Sequence, residues 1–276
     1  MNASISTWFR SLLFLAALLG MALSTRAEDV LWTTYSNLGQ KAYKAGHHAE
    51  AEKLFLAALK VAEESGAQDS PLANSLNNLA VLYAAQGKYD QAEPLYKRSL
   101  AISEKVLGAE HPDVATSLNN LAELYRAQAK YDQAEPLYKR SLAIREKSLG
   151  AEHAAVATSL NNLAELYRIQ AKYDQAESLF KRSLAIQEKV WGAEHAAVAT
   201  GLNNLASLYR IQAKYDQAEP LYKRSLAIRE KSLGANHPDM ATSLENYAAL
   251  LKATHRDAEA EPLLARAKAI REKNRK

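Results

Sequence analysis

The chain of 276 residues contains no cysteine. Disulfides and thiolate metal sites are therefore excluded, and stability must come from packing alone. Glycine and proline are sparse, at 10 and 7 residues, and they fall at fixed phases instead of clustering into linkers. Alternating apolar and polar runs are missing, which argues against half-buried strands. Alanine, leucine, glutamate, lysine and arginine dominate, so the chain reads as all-helical. No strong charge of one sign is present. The formal net charge is +4, and it falls to +2 if residues 1–27 leave with Arg10 and Arg26. The basic residues are spread at even spacing, so nucleic acid is not an expected partner. HExxH, GxSxG and glycine-rich phosphate loops are all lacking, and neither an enzyme nor a small-molecule substrate is expected.

What is present is repetition. SLNNLAELYR at Ser117 to Arg126 returns at Ser159 to Arg168, and altered copies begin at Ser75 and Gly201. The period is 42 residues. A degenerate copy opens at Ser243, and another, set back by 41 residues, begins near Trp32. The expected organisation is one solenoid of about six helix-turn-helix units over 28–276, with repeats at approximately 32–72, 73–114, 115–156, 157–198, 199–240 and 241–276. Such units bury their apolar faces only against neighbours, and their divergent ends are expected to present polar faces to water. The product is a long concave surface.

Within one unit, Leu76, Leu79, Ala80 and Tyr83 form an apolar stripe on a first helix placed at Ala73 to Gln86. Ala92, Leu95, Tyr96, Ser99, Leu100, Val106 and Leu107 supply the matching face of a second helix from about Tyr89. Gly108, Gly150, Gly192 and Gly234 end second helices where a left-handed backbone suits glycine. Pro112 and Pro238 open first helices. Trp191 stands where other copies have Leu107 and Leu149, and it is expected to fill a gap between units, the alternative being a local hydrophobic spot at a second-helix end.

The opposite face of the first helices carries polar residues in rows. They are Asn77 and Asn78; Asn119, Asn120, Glu123 and Arg126; Asn161, Asn162, Glu165 and Arg168; and Asn203, Asn204 and Arg210. Asparagine offers donors and an acceptor to an extended backbone, and arginine grips carboxylates through paired hydrogen bonds. Near-identical copies inherit every residue, however. The same asparagines also suit helix-to-helix bonding, and Glu123 with Arg126 suits a surface pair. His111, His153, His195 and His237 recur in the linkers. Successive helix pairs are spaced about 8–10 Å apart, too far to share a metal with bonds near 2 Å. No metal or cofactor is expected.

Leu38, Gly39, Gly46, Ala51, Phe55 and Ala58, and then Leu79, Ala80, Tyr83, Gly87, Tyr89, Ala92 and Tyr96, fall at phases that resemble the tetratricopeptide repeat. The longer unit, with NNLA, QAEPLYKRSLAI and GAEHPDVA at Gly108 to Ala115, resembles the kinesin light chain type. The resemblance covers nearly everything after residue 27. It implies antiparallel helix pairs stacked into a right-handed superhelix, an alpha-alpha solenoid, with peptides bound in its groove.

Residues 1–27 show a different pattern. Arg10 precedes an apolar stretch of about twelve residues, Leu12 to Leu23, and Thr25-Arg26-Ala27 follows. This is the pattern of a signal peptide, and the stretch is shorter than the roughly 18–20 residues that span a bilayer. Export to a periplasmic or secreted location is expected, in a bacterial envelope, with membrane contact only through an uncleaved anchor. A kinesin light chain carries a coiled coil there instead, so motor attachment is not expected. Two functions remain: a scaffold or adaptor holding an extended segment of another protein, and a structural, self-associating element without a peptide ligand.

Overall fold

Histidine side chains at positions 111, 153, 195 and 237 cap the starts of four helices. The computed structural model describes residues 28–66 and 69–274; the expected signal peptide at 1–27 lies outside them. Among the described residues every regular element is helical. The chain divides into two compact units, Met1–Ala129 and Lys130–Lys276.

The first unit holds α1 (28–44), α2 (His48–Glu64), α3 (Ser70–Ala85), α4 (Tyr89–Leu107) and α5 (Pro112–Ala127). Its core is built from two clusters. Ala42 and Phe55 meet Leu79 and Leu82, and Ala62 meets Leu72, Leu76 and Ile102. Ala80 and Ala92 are fully buried, so their small side chains allow α3 and α4 to pack closely. The helix α3 starts three residues ahead of the expected Ala73 because the Asp69 carboxylate caps it, accepting from the Leu72 amide at 3.2 Å. Val106 departs from its expected inward role. It is exposed near the end of α4, beyond the last buried pair, Ile102 and Ser103.

The second unit holds α6 (Tyr131–Leu149), α7 (Ala154–Ile169), α8 (Tyr173–Trp191), α9 (Ala196–Ile211), α10 (Tyr215–Leu233), α11 (Pro238–Ala253) and α12 (Asp257–Lys273). One core cluster appears three times. Val156, Ala157, Leu160 and Ile186 are packed by Leu142 and Leu179. Val198, Ala199, Leu202 and Ile228 are packed by Leu184 and Leu221. Met240, Ala241, Leu244 and Ile270 are packed by Leu226 and Leu263, with Ala267 joining them. Each cluster draws on a hairpin and on the second helix before it, so no hairpin completes its core alone. A buried serine adds a fixed polar tie: Ser183 and Ser225 donate to the carbonyls of Ala157 and Ala199 at 2.8 and 2.7 Å.

The linker histidines are helix caps. His153 Nδ1 accepts from the Ala155 amide at 3.1 Å, and His111, His195 and His237 do the same at 3.2 Å. Trp191 does not fill a gap. It is 40% exposed and stacks on His195, with ring centroids 5.4 Å apart.

The glycines that end second helices do not adopt the ordinary left-handed helical conformation. Gly150 has φ 90 and ψ 149, and Gly108, Gly192 and Gly234 match it. That extended, positive-φ region is nearly exclusive to glycine. The turn inside a hairpin is less demanding, since Ala129, Ala171 and Ala213 stand at φ 56 where another hairpin has Gly87.

The ends differ from each other. The last helix, α12, exposes charged side chains, but Val30, Leu31 and Leu38 are exposed on α1 and Leu56 on α2. The first hairpin thus mixes exposed apolar side chains with exposed polar ones such as Asp29, Asn37, Gln40 and Lys41.

Candidate functional site

The expected polar rows lie on the first helix of each hairpin, and the asparagines bond from one such helix to the next. In the first unit Asn120 Nδ2 on α5 donates to Asn77 Oδ1 on α3 at 3.0 Å. In the second, Asn204 on α9 donates to Asn161 on α7 at 2.9 Å, and Asn246 on α11 to Asn203 on α9 at 3.2 Å. Each link spans 43 residues, one repeat plus one position. It uses one of two N–H groups on the donor and one acceptor site on its partner, which orients both amides. Asn119 and Asn203 are nearly closed to solvent at 8% and 6%, whereas Asn77, Asn78, Asn120, Asn161, Asn162 and Asn204 are partly open. Asn246 escaped the sequence reading because its repeat is degenerate. Its signal was the alignment of SLENY at Ser243 with GLNN at Gly201.

Two of the three arginines are occupied by their own helices. Arg126 holds Glu123 through Nε and Nη2 at 3.2 and 2.7 Å. Arg168 holds Glu165 through the same two atoms, with Nε to Oε2 at 2.8 Å. Arg210 has Ser207 at that phase, and among the described residues it makes no ion pair; its Nε is buried without a hydrogen-bond partner.

A second recurring network, missed by the sequence reading, braces the hairpins. In the second unit Glu135 on α6 accepts from Tyr167 on α7 at 3.1 Å and pairs with Lys139 at 2.7 Å and Lys172 at 3.0 Å. Glu177 repeats this with Tyr209, Lys181 and Lys214. In the first unit, Tyr83 and Tyr125 donate to Glu52 and Glu93. The overlooked signal was a glutamate recurring 32 residues ahead of Tyr125, Tyr167 and Tyr209 and 31 ahead of Tyr83. The Lys139 ammonium foremost, then Lys172 and Tyr167, hold the Glu135 carboxyl down from 4.5 to about 2 against its partial burial. A carboxyl lowered on folding stabilises the fold above its unfolded value, and that contribution is lost as pH falls toward the folded value. Glu135→Gln should therefore lower unfolding free energy at pH 7 by roughly 1 kcal/mol, allowing for solvent screening. The difference from the parent should shrink as pH is lowered from 7 toward 2 in urea titrations; a pH-independent difference would place the effect elsewhere.

Among the described residues no group of three histidine, aspartate or glutamate side chains is arranged to hold a metal, and no helix is long and apolar enough to cross a membrane.

The tetratricopeptide repeat profile matches residues 71–147, 113–189 and 197–273, and a second profile of the same description matches 36–105. The chain belongs to the tetratricopeptide repeat family. Proteins with TPR repeats generally mediate protein–protein interaction, and as a scaffold family they are generally non-enzymatic. Among solved structures, BtubC (BKLC) from P. vanneervenii is 26% identical, with 90% of this chain and 92% of that one covered at a TM-score of 0.65. A P. anserina putative kinesin light chain with nearly identical TPR-like repeats is 29% identical, with 75% and 99% covered at a TM-score of 0.62. A Rap protein complexed with Competence and Sporulation Factor shares the fold alone, at 17% identity, 88% and 75% coverage and a TM-score of 0.63. No match was found among curated proteins. The likeness to kinesin light chain-type repeats agrees with the 42-residue unit.

Proposed function

We propose that this TPR protein is an exported, non-enzymatic scaffold that receives an extended segment of a partner protein along the first-helix faces of its repeats. The observation that carries this reading is the asparagine ladder. Its amides are held in place by one hydrogen bond each, and most remain partly open to solvent. Groups oriented before binding lose little side-chain freedom when a peptide backbone arrives. Neutral amides also read backbone more than side chains, so recognition should tolerate varied sequences. The exported location, periplasmic or secreted, rests on Arg10, the apolar run Leu12 to Leu23 and Thr25-Arg26-Ala27. Sequencing the amino terminus of the natural protein tests it.

Binding can be tested by selecting a displayed random-peptide library against the protein and titrating the selected peptides calorimetrically. Asn161→Ala combined with Asn204→Ala should weaken them roughly tenfold, the loss of about two neutral hydrogen bonds, with thermal unfolding nearly unchanged because both partners of that bond leave together. Unaltered affinity would remove the asparagines from the site.

A second reading, a self-associating structural element, is favoured by the exposed Val30, Leu31, Leu38 and Leu56 of the first hairpin. Concentration-dependent association in sedimentation velocity, abolished by Leu31→Lys, would support it over the scaffold.

A further inference from the structure

A serine at one phase of the first helices takes a side-chain N–H donor in three places. Ser75 accepts from the Trp32 indole at 2.8 Å, Ser159 from the Arg145 guanidinium at 2.8 Å and Ser243 from Arg229 at 2.6 Å. At Gly201, a variant of the same phase, Gln187 takes the room that a side chain would need. Ser117 on α5 receives no such donor from the described residues. The residue placed to supply it, at the phase of Arg145 and Arg229, is Ser103 on α4, and its side chain is too short.

A cavity of about 70 Å³ stands at that point within the first unit, with Asn74 and Asn77 of α3, Ser103 of α4, and Asp113, Thr116 and Ser117 of α5 in its wall. The same groups, three periods on, are the ones that hold Arg229. That guanidinium donates to the Asp239 carbonyl at 2.8 Å, to Ser243, and to Thr200 Oγ1 at 3.0 Å. The corresponding positions in the cavity wall are Asp113, Ser117 and Asn74. Arg229 is 6% exposed, and burial works against its charge while the Asp239 carboxylate works for it. Asp113, the charged residue of the cavity wall, offers a cation the same support. Ser103 and Ser117 are almost closed to solvent, whereas Asn74, Asp113 and Thr116 are exposed, so the cavity has a polar floor and an open mouth.

We propose that this cavity is a guanidinium socket, left empty by the chain's own side chain, that takes an arginine of the bound protein segment. This deepens the peptide-scaffold reading and rests on it, since Asn77 belongs both to the cavity and to the asparagine rows. The incoming guanidinium donates to Ser117 and the Asp113 carbonyl, as Arg229 does to Ser243 and Asp239. A planar fork reaches both acceptors at once, which the more strongly hydrated point charge of lysine does not. The second unit fills the same phase with Arg145, Gln187 and Arg229, so one basic position is read in place of a row of them.

The test is nuclear magnetic resonance of backbone amides in the full chain, titrated with N-acetyl-arginine methylamide, its lysine and citrulline counterparts, and methylguanidinium. The Thr116 and Ser117 signals should move saturably with the arginine compound, about fivefold more weakly with the lysine compound, and not with citrulline, which keeps the shape without the charge. Ser103→Arg refills the socket as Arg145 and Arg229 do, so it should fold normally and weaken the arginine response by about tenfold or more. Asp113→Asn leaves the cavity open and should weaken it about threefold. Silence with the arginine compound, an equal response to citrulline, or a response unchanged by both substitutions would overturn the proposal. Movement with methylguanidinium alone would overturn the side-chain assignment in favour of a small free ligand. The scaffold reading would stand in those cases if the library peptides still bound and still lost affinity on asparagine substitution, and it would fall separately if they did not.

Discussion

Leu160→Ala should destabilise the second unit by about 2–5 kcal/mol, the range for emptying a fully buried leucine site. Leu160 has no exposed surface and lies among Val156, Ala157 and Ile186 of its own hairpin and Leu142 of α6. Transfer of the lost methyl and methylene groups from water accounts for part of the cost, and the cavity left behind for the rest. The cavity should close poorly, because its walls belong to three helices, α6, α7 and α8, that are packed on one another. Folding energy in a repeat array is a sum of unit and interface contributions, and this residue serves both. Urea unfolding followed by circular dichroism would measure the loss. A change below about 1 kcal/mol would show that the hairpins slide to refill the space.

Gly150→Ala should cost about 1–3 kcal/mol although the new methyl group touches nothing. A Cβ built on Gly150 finds no atom within 4 Å, so the whole effect comes from φ 90 and ψ 149. The conformation is fixed from both sides: the Gly150 amide donates to the Glu146 carbonyl, and its own carbonyl accepts from His153, whose imidazole caps α7. Relaxing the backbone would sacrifice the cap. Thermal unfolding of this variant would check the value, and an unchanged midpoint would mean that the linker adopts another path. The turn within the hairpin provides the contrast, since alanine already occupies Ala171 at φ 56, where an L-residue loses roughly 1–2 kcal/mol.

Those two sites also show what was legible in the sequence. Invariant spacing revealed the period, the all-helical class and the inward positions of Leu76, Leu79, Ala80, Ala92 and Tyr96, because burial in an array follows phase. The glycines at 108, 150, 192 and 234 announced helix ends, but the type of backbone they adopt depends on the hydrogen bonds around them. Val106 and Trp191 were misplaced for a related reason. Both lie near a helix end, where the apolar stripe has run past its neighbour and periodicity continues without a partner. The candidate site was harder to read. Phase placed the asparagines together on one face, but it could not assign donor and acceptor between Asn120 and Asn77, since identical copies carry both residues. The one difference that stands out chemically, serine for arginine at Ser103, is a single letter in a repeat. It gains meaning only when Arg145 and Arg229 are seen to fill the space that Ser103 leaves.

Because the asparagine ties of the second unit reach 43 residues along the chain and the ties of Tyr167 and Tyr209 reach 32, its internal repeat is a modular cassette. Asn204 finds Asn161 as Asn246 finds Asn203, and Tyr209 finds Glu177 as Tyr167 finds Glu135. A duplication or excision of 42 residues inside the second unit presents each broken interface with the same donor, acceptor and apolar shapes that it had before. A change of length in whole 42-residue steps there needs no compensating substitution, and the reach of the first-helix face is counted out in repeats.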